Sequence, residues 1–254
     1  GMASGAMGGD IASRTSYFDL VYRDIPDGGG FIVSAGLSQL IDYLRNLKFT
    51  DEDIEYLRST QSFSEEFLDY LKNFKFTCSV WAVPEGTPVF PFEPVITVKG
   101  PLIEAQFIEA ALLMMINYQS LIATKASRIV RAADGREVYE FGTKRAHEAS
   151  AAVYGARAAF IGGCNATSDV VASKEFGIPA FSTMTHSLVQ AFDSEYEAFK
   201  YYAAQFPNNC VLLVDTYSTV KSGVPNAIKV FDEVLKPMGV RPKGIRIDSG
   251  DITY

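Results

Sequence analysis

A chain of 254 residues is long enough to form one large domain or two smaller ones around a real hydrophobic core. Hydrophobic residues make up 48% and charged residues 21% of the sequence, which is ordinary for a soluble globular protein. The net charge of −7 argues against broad binding to the phosphate backbone of a nucleic acid, although it leaves room for a local basic pocket.

Cysteine usage and apolar patterning bear on where the protein works. Cys78, Cys164 and Cys210 are far apart and form no CxxC pair, which points to a reducing compartment and against a disulfide framework or a zinc site. No run of about 18 apolar residues is present, so no membrane-spanning helix is expected. The Gly-rich start lacks the features of a secretory signal, and Gly1 before Met2 is typical of a tag remnant. We therefore expect a cytoplasmic protein with no membrane partner.

The first part of the chain predicts strands mixed with helices. Residues Phe18 to Pro26 alternate apolar and polar side chains, as a half-buried strand does. Apolar residues at helical spacing predict a helix from Leu37 to Leu47, and Thr50 and Ser64 are good N-caps for two further helices. The strand-forming stretches CSVWAV and PVITV are separated by a proline-rich turn, so an antiparallel or mixed layer is expected. From Pro101 to Ala133 the pattern predicts one long apolar helix, buried between layers or against a partner subunit.

Beyond residue 134 the pattern changes to alternating strands and helices. Such βα units imply a parallel sheet with right-handed crossovers. Five strands alone suit an open doubly wound sheet, whereas a closed barrel needs about eight. The predicted strands are Val138–Phe141, Ala159–Ile161, Ile178–Phe181, Val211–Val214 and Gly244–Ile247, and the helices between them are Ala146–Ala158, Asp169–Phe176, Ser194–Phe206 and Val224–Leu235.

The stretch FSTMTHSLVQAF places His186 shortly after a predicted strand and at the start of a helical pattern. An α/β protein usually carries its chemistry at such a strand end. The chain has two histidines, so this placement does not follow from abundance. The alternative is a helix-capping or packing role, which histidine also fills in ordinary proteins.

Polar side chains follow all five predicted strands. Because the carboxyl ends of parallel strands meet on one rim, a single site can receive all of them. Cations, a histidine, carboxylates and hydroxyls together suit an anionic, hydroxyl-bearing substrate such as a sugar phosphate. Structural alternatives exist, since Arg145 can pair with Glu148, Asp215 can cap the next segment, and residues 248–251 can be a polar turn. The clusters are Gly142, Thr143, Lys144 and Arg145; Asn165, Thr167 and Ser168; Thr183 and His186; Asp215, Thr216 and Tyr217; and Arg246, Asp248, Ser249, Gly250 and Asp251.

Seven long stretches stand in an order and spacing typical of one known family. They are VPEGTPVFPFEPVITVKGPLIEAQ, INYQSLIATKASRI, EFGTKRAHE, IGGCNATSDV, STMTHSLVQAF, CVLLVDTY and IRIDSGD. Over about Phe18 to Tyr254 the chain resembles nicotinate phosphoribosyltransferase, a type II phosphoribosyltransferase. The resemblance implies an irregular α/β barrel fused to an α/β domain. We therefore expect a tag or flexible stretch at 1–17, the N-terminal α/β domain at 18–133, and the first half of the barrel at 134–254.

The same resemblance implies an activity. The family forms nicotinate mononucleotide and pyrophosphate from nicotinate and phosphoribosyl pyrophosphate, with Mg²⁺ and coupled to ATP hydrolysis, in NAD biosynthesis. It also implies a homodimer whose active sites lie at the subunit interface.

Residue roles follow from the resemblance too. His186 is the histidine phosphorylated by ATP, and Asp215 binds its other ring nitrogen and fixes the tautomer. Arg246 meets the pyridine ring and its carboxylate, with Phe141 stacking on the ring, and Asp248 binds the ribose hydroxyls. No side chain is assigned as a dedicated metal ligand. The rest of the expected substrate-binding set is Lys144 and Arg145 at a phosphate or nicotinate, together with Ser168, Thr183, Ser249 and Gly250.

Ser168 is the position predicted to select the substrate. The matching residue in the nicotinamide enzymes is an aspartate, which accepts from an amide N–H and repels the carboxylate of nicotinate. Asp169 follows directly, so a shift of one residue in register reverses this prediction.

Several features depart from the family pattern. Lys144 stands where arginine is usual, and His147-Glu148-Ala149 replaces a Gln-Gly-Pro-like stretch. A TDLY-type motif is not found before Phe18, and the later barrel strands are absent after Tyr254, so the chain resembles the first half of an enzyme. Two alternatives stay open: a nicotinamide phosphoribosyltransferase, and a non-catalytic fragment or homologue that only binds a ligand or a partner chain.

Overall fold

The computed structural model describes residues 2–7 and 10–251. The chain divides into two compact units, Gly1–Ala180 and Phe181–Tyr254, and each is described by itself. Gly1, where a tag remnant was predicted, lies outside the described residues, as do the last three positions. The predicted domain boundary between residues 133 and 134 stays a prediction.

The first unit mixes helices with short strands. Its helices are α1 (Met2–Ala6), α2 (Leu37–Asn46), α3 (Asp51–Ser59), α4 (Glu65–Lys72), α5 (Leu102–Ala132), α6 (Ala149–Ile161) and α7 (Val170–Phe176). Its strands are β1 (Thr15–Leu20), β2 (Ile32–Val33), β3 (Ser79–Ala82), β4 (Pro88–Val89), β5 (Ile96–Pro101), β6 (Tyr139–Glu140) and β7 (Ala166–Thr167).

An antiparallel sheet of order β1-β5-β3 confirms the layer predicted for the first part of the chain. The first strand runs Thr15–Leu20 rather than from Phe18 to Pro26, because Leu20 pairs with Ile96, the first residue of β5. A strand continues only as far as a partner offers backbone groups, and the proline at position 94 cannot donate one. The short strands β2 and β4 form a separate antiparallel pair.

Both predicted N-caps are confirmed. The Thr50 hydroxyl accepts from the amide of Asp53, and the Asp53 carboxylate accepts from the amide of Thr50, which completes a capping box. The Ser64 hydroxyl accepts from the amide of Phe67 at the start of α4. These caps satisfy helix amides that have no partner within the helix.

The predicted long helix is confirmed as α5, and it lies at the centre of the first unit. Its buried polar side chains bind other segments: the Thr124 hydroxyl accepts from the amide of Val33, and the Ser120 hydroxyl accepts from the amide of Ala35. Among the residues that the structure describes, α5 is the one helix long and apolar enough to cross a membrane by length and composition. Core helices of other proteins share these properties, and the buried hydroxyl contacts assign α5 to the protein core.

The start of the chain is helical where a flexible stretch was predicted. Helix α1 packs Ala3 into an apolar cluster with Ile54, Leu68 and Ile103. Burying alanine here costs little, because its side chain has no rotamer entropy to lose.

The predicted parallel pairing is confirmed in both units, but two strands were placed wrongly. Residues 159–161 belong to helix α6, and the strand follows at Ala166–Thr167, where β7 pairs in parallel with β6. The helix continues through these residues because α6 as a whole is rich in alanine, whose buried small side chains let α6 pack closely on α5. Residues 178–181 form no full strand; Ala180 makes a single parallel bridge to Thr167.

The second unit surrounds its own core. Its elements are α8 (His186–Gln190), α9 (Glu195–Gln205), α10 (Val224–Val230), β8 (Val211–Leu213) and β9 (Gly244–Arg246), with single π-turns on either side of α10. Strand β8 pairs in parallel with β9, from Val211 opposite Gly244 to Leu213 opposite Arg246. The core consists largely of Val189, Phe199, Leu212, Val214, Val230 and Leu235. This packing places the carboxyl ends of β8 and β9 side by side.

Candidate active site

His186 is the first residue of α8, and it is not the helix cap. The Thr185 hydroxyl fills that role by accepting from the amide of Leu188. The imidazole is 36% exposed, so it is not a buried packing residue either. Both structural alternatives for this histidine are therefore disfavoured.

Three side chains from the ends of β8 and β9 surround the imidazole. Its Nδ1 lies 3.0 Å from the hydroxyl oxygen of Thr216. Its Nε2 lies 3.5 Å from Oδ2 of Asp248 and 3.9 Å from Oδ1 of Asp215. One side of the ring thus meets a neutral hydroxyl, and the other side meets two carboxylates.

Asp215 is the buried member of this group, with 5% of its side chain exposed. Its Oδ2 accepts from the amide of Asp248 at 2.8 Å and from the hydroxyl of Ser249 at 2.6 Å. Its Oδ1 is buried and has no hydrogen-bond partner. Burial alone raises the pKa of Asp215, but the hydrogen bonds from Ser249 and Asp248 and the nearby His186 outweigh it and hold this pKa below its usual value.

Arg246, the last residue of β9, completes the cluster. Its guanidinium binds Oδ1 of Asp248 at 2.6 Å and also donates to the hydroxyl of Thr183. The planar guanidinium thus links the segment before α8 to the end of β9. The polar turn that follows needs a glycine, because Gly250 has a φ of 83°.

The other predicted substrate-binding residues belong to the first unit. Phe141 precedes a 3₁₀ turn, Gly142–Arg145, that carries Lys144 and Arg145. Arg145 lines a cavity of about 480 Å³ with Tyr118, Glu140 and His147. The carboxylate of Glu148 accepts from the amides of Ser150 and Ala151 and so caps α6, which disfavours the alternative that it pairs with Arg145.

Ser168 and Asp169 have different surroundings, which bears on the question of register. Asp169 is buried, and its Oδ1 accepts from the amide of Ala172 at 2.9 Å as the N-cap of α7. Ser168 is half-buried directly after β7, and its amide donates to the carbonyl of Glu140. Because the carboxylate of Asp169 caps α7, Ser168 is the side chain of this pair that remains at the end of β7.

Thr216 is the site residue whose role the sequence did not reveal. It stood among the polar residues after a predicted strand, but the partner of the imidazole was expected to be Asp215. The signal in the sequence was its position next to Asp215, because the side chains of neighbouring residues at a strand end point in different directions. Over residues 2–7 and 10–251, no group of three or more His, Cys, Asp or Glu side chains is placed to hold a metal ion.

Comparison with known proteins bears on the predicted family. The N-terminal domain of nicotinate phosphoribosyltransferase matches residues 2–117. A nicotinate phosphoribosyltransferase of Bacillus subtilis is 51% identical over 246 residues, which cover 96% of this chain and 49% of the relative. These comparisons assign the chain a similarity to nicotinate phosphoribosyltransferases over nearly its whole length.

Further relatives agree with this assignment. A nicotinate phosphoribosyltransferase of Mycobacterium tuberculosis is 44% identical over 94% of this chain and 51% of its own length. The crystal structure of human nicotinic acid phosphoribosyltransferase matches with a TM-score of 0.89 and 29% identity, over 99% of this chain and 60% of that one. The predicted mixed α/β fold is thereby confirmed as that of a nicotinate phosphoribosyltransferase. The chain spans about half the length of the curated relatives it matches.

Proposed function

We propose that the protein carrying this chain is a nicotinate phosphoribosyltransferase of NAD biosynthesis. It would form nicotinate mononucleotide and pyrophosphate from nicotinate and phosphoribosyl pyrophosphate. The observation that supports this most directly is the grouping of His186 with Asp215, Asp248 and Arg246 at the ends of two parallel strands. Similarity to nicotinate phosphoribosyltransferases over 96% of the chain supports the same reaction.

The charges of this group suit the transfer of a ribosyl phosphate. Breaking the bond between ribose C1 and pyrophosphate builds positive charge on the sugar and negative charge on the leaving group. The carboxylate of Asp248, 42% exposed, is proposed to bind ribose hydroxyls, and Arg246 beside it is proposed to bind the carboxylate of nicotinate. Phe141 is proposed to stack on the pyridine ring, and Lys144 and Arg145 to bind anionic groups of the substrates, with Thr183, Ser249 and Gly250 shaping the site.

Magnesium is proposed as a companion of the substrate. Mg²⁺ neutralises charge on a leaving pyrophosphate and commonly binds through substrate phosphates and water rather than through an all-protein cage. The described residues, which include no cluster of three metal-binding side chains, fit a substrate-borne ion better than a resident one. No step is therefore assigned to a protein-held metal.

ATP coupling is proposed to proceed through a phosphohistidine at His186. Ionised carboxylates only accept hydrogen bonds, so Asp215 and Asp248 favour the tautomer with its proton on Nε2 and its lone pair on Nδ1. The Nδ1 lone pair would then attack the γ-phosphorus of ATP, forming the N–P bond as the bond to the β-phosphate oxygen breaks and ADP departs. Attack from Nε2 would bring the phosphoryl group against two negative charges.

The test uses radioactive ATP and the second histidine of the chain. The protein incubated with [γ-³²P]ATP should carry acid-labile label, and His186→Ala should abolish it. His147→Ala is the matched control and should keep the label, because the proposed site of phosphorylation is His186. Label that persists in His186→Ala contradicts the phosphohistidine.

Nicotinate is proposed as the substrate because Ser168, rather than the capping Asp169, stands at the end of β7. Competition between nicotinate and nicotinamide for one pool of phosphoribosyl pyrophosphate tests this choice. Faster consumption of the amide would establish the alternative, a nicotinamide phosphoribosyltransferase.

A homodimer in the cytoplasm is proposed with the activity. The long helix α5 exposes Leu113 (46%) and Met114 (63%), apolar side chains that a second copy would cover. Light scattering of the purified protein tests this, and a monomeric mass at working concentrations would contradict it.

A role limited to binding a ligand or a partner chain is the second candidate. Intact mass spectrometry of a sample that catalyses the reaction separates the two candidate functions. Turnover by a polypeptide of 27.8 kDa would exclude the binding-only role.

A further inference from the structure

The hydroxyl of Thr216 is the neutral partner of the imidazole. Its oxygen lies 3.0 Å from Nδ1 of His186, which is hydrogen-bond distance, whereas the nearest carboxylate oxygen lies 3.5 Å from Nε2. A hydroxyl can donate or accept, so it adapts to the proton position that the carboxylates favour. With the proton on Nε2, the hydroxyl of Thr216 donates to Nδ1.

The loop that carries Thr216 is fixed at its far end. A side chain at Gly223 would place its Cβ 1.8 Å from the carbonyl oxygen of Val214. The backbone at Gly223 therefore lies against the backbone at Val214 at a distance that glycine permits. The buried Glu195 accepts from the side-chain amide of Asn226 at 3.0 Å and from the hydroxyl of Ser222. These contacts tie the loop to α9 and α10, several residues away from the imidazole.

A second tie lies nearer to the imidazole. The hydroxyl of Ser218 accepts from the amide of Lys221 and caps the π-turn that follows. Thr216 therefore sits between a buried strand end and a capped turn, so its backbone has little freedom. A backbone held in this way keeps the side chain of Thr216 beside the ring.

We propose that Thr216 is a positioning residue for His186: its hydroxyl holds the ring with the lone pair at Nδ1 before phosphoryl transfer. This inference rests on the proposed phosphohistidine and deepens it. During transfer the hydroxyl rotates away from Nδ1 and donates to an oxygen of the arriving phosphoryl group. The bonds that form and break are those given above for ATP, and Thr216 loses no proton.

The first experiment measures the rate of labelling from [γ-³²P]ATP. Thr216→Val keeps the shape of the side chain and removes the hydroxyl, so labelling should slow about fivefold, the effect of one hydrogen bond of ordinary strength. The KM for ATP should stay unchanged, because before transfer the hydroxyl of Thr216 binds the ring and not the nucleotide. Thr216→Ser should restore the rate, and Thr219→Val makes the same change three positions along as a matched control.

The second experiment needs no ATP and so separates the two proposals. With ¹⁵N-labelled histidine, the two imidazoles of the chain are assigned by His147→Ala, and long-range ¹H–¹⁵N spectra report which nitrogen carries the proton. The wild-type His186 should be protonated on Nε2, and Thr216→Val should move the ¹⁵N resonance of Nδ1 downfield, because its lone pair no longer accepts the hydrogen bond.

The outcomes are distinguishable. Label that survives in His186→Ala, or no label on the wild-type protein, overturns the phosphohistidine, and the tautomer spectra still decide the role of Thr216. A wild-type rate of labelling and an unchanged Nδ1 resonance in Thr216→Val overturn the positioning role, as does a loss of rate in Thr216→Ser equal to that in the valine variant. If the valine variant does not fold, Thr216→Ala is measured in the same two experiments.

Discussion

The carboxylate of Asp215 accepts a hydrogen bond of 2.8 Å from the backbone amide of Asp248. This contact joins the ends of two parallel strands, β8 and β9. Both carboxylates lie on the side of the His186 imidazole that carries Nε2. Since the amide of Asp248 and the hydroxyl of Ser249 both bind one oxygen of Asp215, the other oxygen is left for the ring.

Replacing Asp215 by asparagine should change the chemistry more than the fold. The amide oxygen of Asp215→Asn can still accept from Asp248 and Ser249, but the amide N–H groups would face Nε2 of His186. The proton would move to Nδ1, and labelling by ATP should fall about a hundredfold because the attacking lone pair is lost. Single-turnover labelling measures this. Asp232→Asn, at an exposed helix pair with Lys236, is the control, and wild-type labelling by Asp215→Asn would contradict the assigned tautomer.

Arg246→Lys should weaken the binding of nicotinate. The guanidinium spans Asp248 and Thr183, whereas a lysine ammonium is a point charge that cannot keep the same fork. The KM for nicotinate should rise at least about tenfold, as expected when one charge-assisted hydrogen bond is lost. Steady-state kinetics measure this, and Arg241→Lys on the exposed surface should change nothing. An equal rise in KM in both variants would show that the effect is not specific to Arg246.

Ser168→Asp should shift preference from the acid to the amide. A carboxylate at the end of β7 would repel nicotinate and accept from the amide N–H of nicotinamide. The ratio of kcat/KM for nicotinate over nicotinamide should fall at least about tenfold, the scale of one favourable or unfavourable polar contact.

The neighbouring position supplies the control for that change. Asp169→Ala removes the N-cap of α7, which should cost about 1 kcal/mol of stability and leave the substrate ratio unchanged. Chemical unfolding and the same kinetic ratio measure the two effects. A change of ratio in Asp169→Ala would reverse the assignment of the two positions.

Glu85→Gln should destabilise the first unit. The carboxylate of Glu85 binds the guanidinium of Arg157 at 2.6 Å and the amide of Gly36 at 2.6 Å, with 15–19% of the paired side chains exposed. Leaving Arg157 without its countercharge should cost about 2–3 kcal/mol at pH 7. Urea unfolding measures this, and Glu65→Gln, at an exposed pair with Arg58, should leave the unfolding midpoint nearly unchanged.

The pH dependence of this effect has a definite sign. Burial raises the pKa of Glu85, but the hydrogen bonds and charge of Arg157 and the amide of Gly36 outweigh it and hold the pKa below its usual value. The stabilising contribution is therefore complete above the unfolded pKa of about 4.3 and is lost as the pH falls through the folded value. The stability difference between wild type and Glu85→Gln should shrink below about pH 4. A constant difference between pH 3 and pH 7 would contradict this linkage.

Local signals in the sequence determined the elements whose cause is local. Thr50 and Ser64 predicted helix starts because a hydroxyl reaches an amide two or three residues along the same chain. The long apolar pattern predicted α5 for a similar reason, since helical spacing is a property of consecutive residues. The motifs around His186 and Arg246 likewise indicated the family and the site, because these motifs are continuous in the chain.

Tertiary packing decided what consecutive residues leave open. Residues 159–161 are apolar enough for either a strand or a helix, and packing of α6 on α5 decided for the helix. The choice of Thr216 as partner of Nδ1 depended on the direction in which two adjacent side chains leave β8, and that direction is set by the pairing of β8 with β9. The sequence determines the type of each residue. The atoms that its side chain contacts depend on segments that are distant in the chain and pack against it.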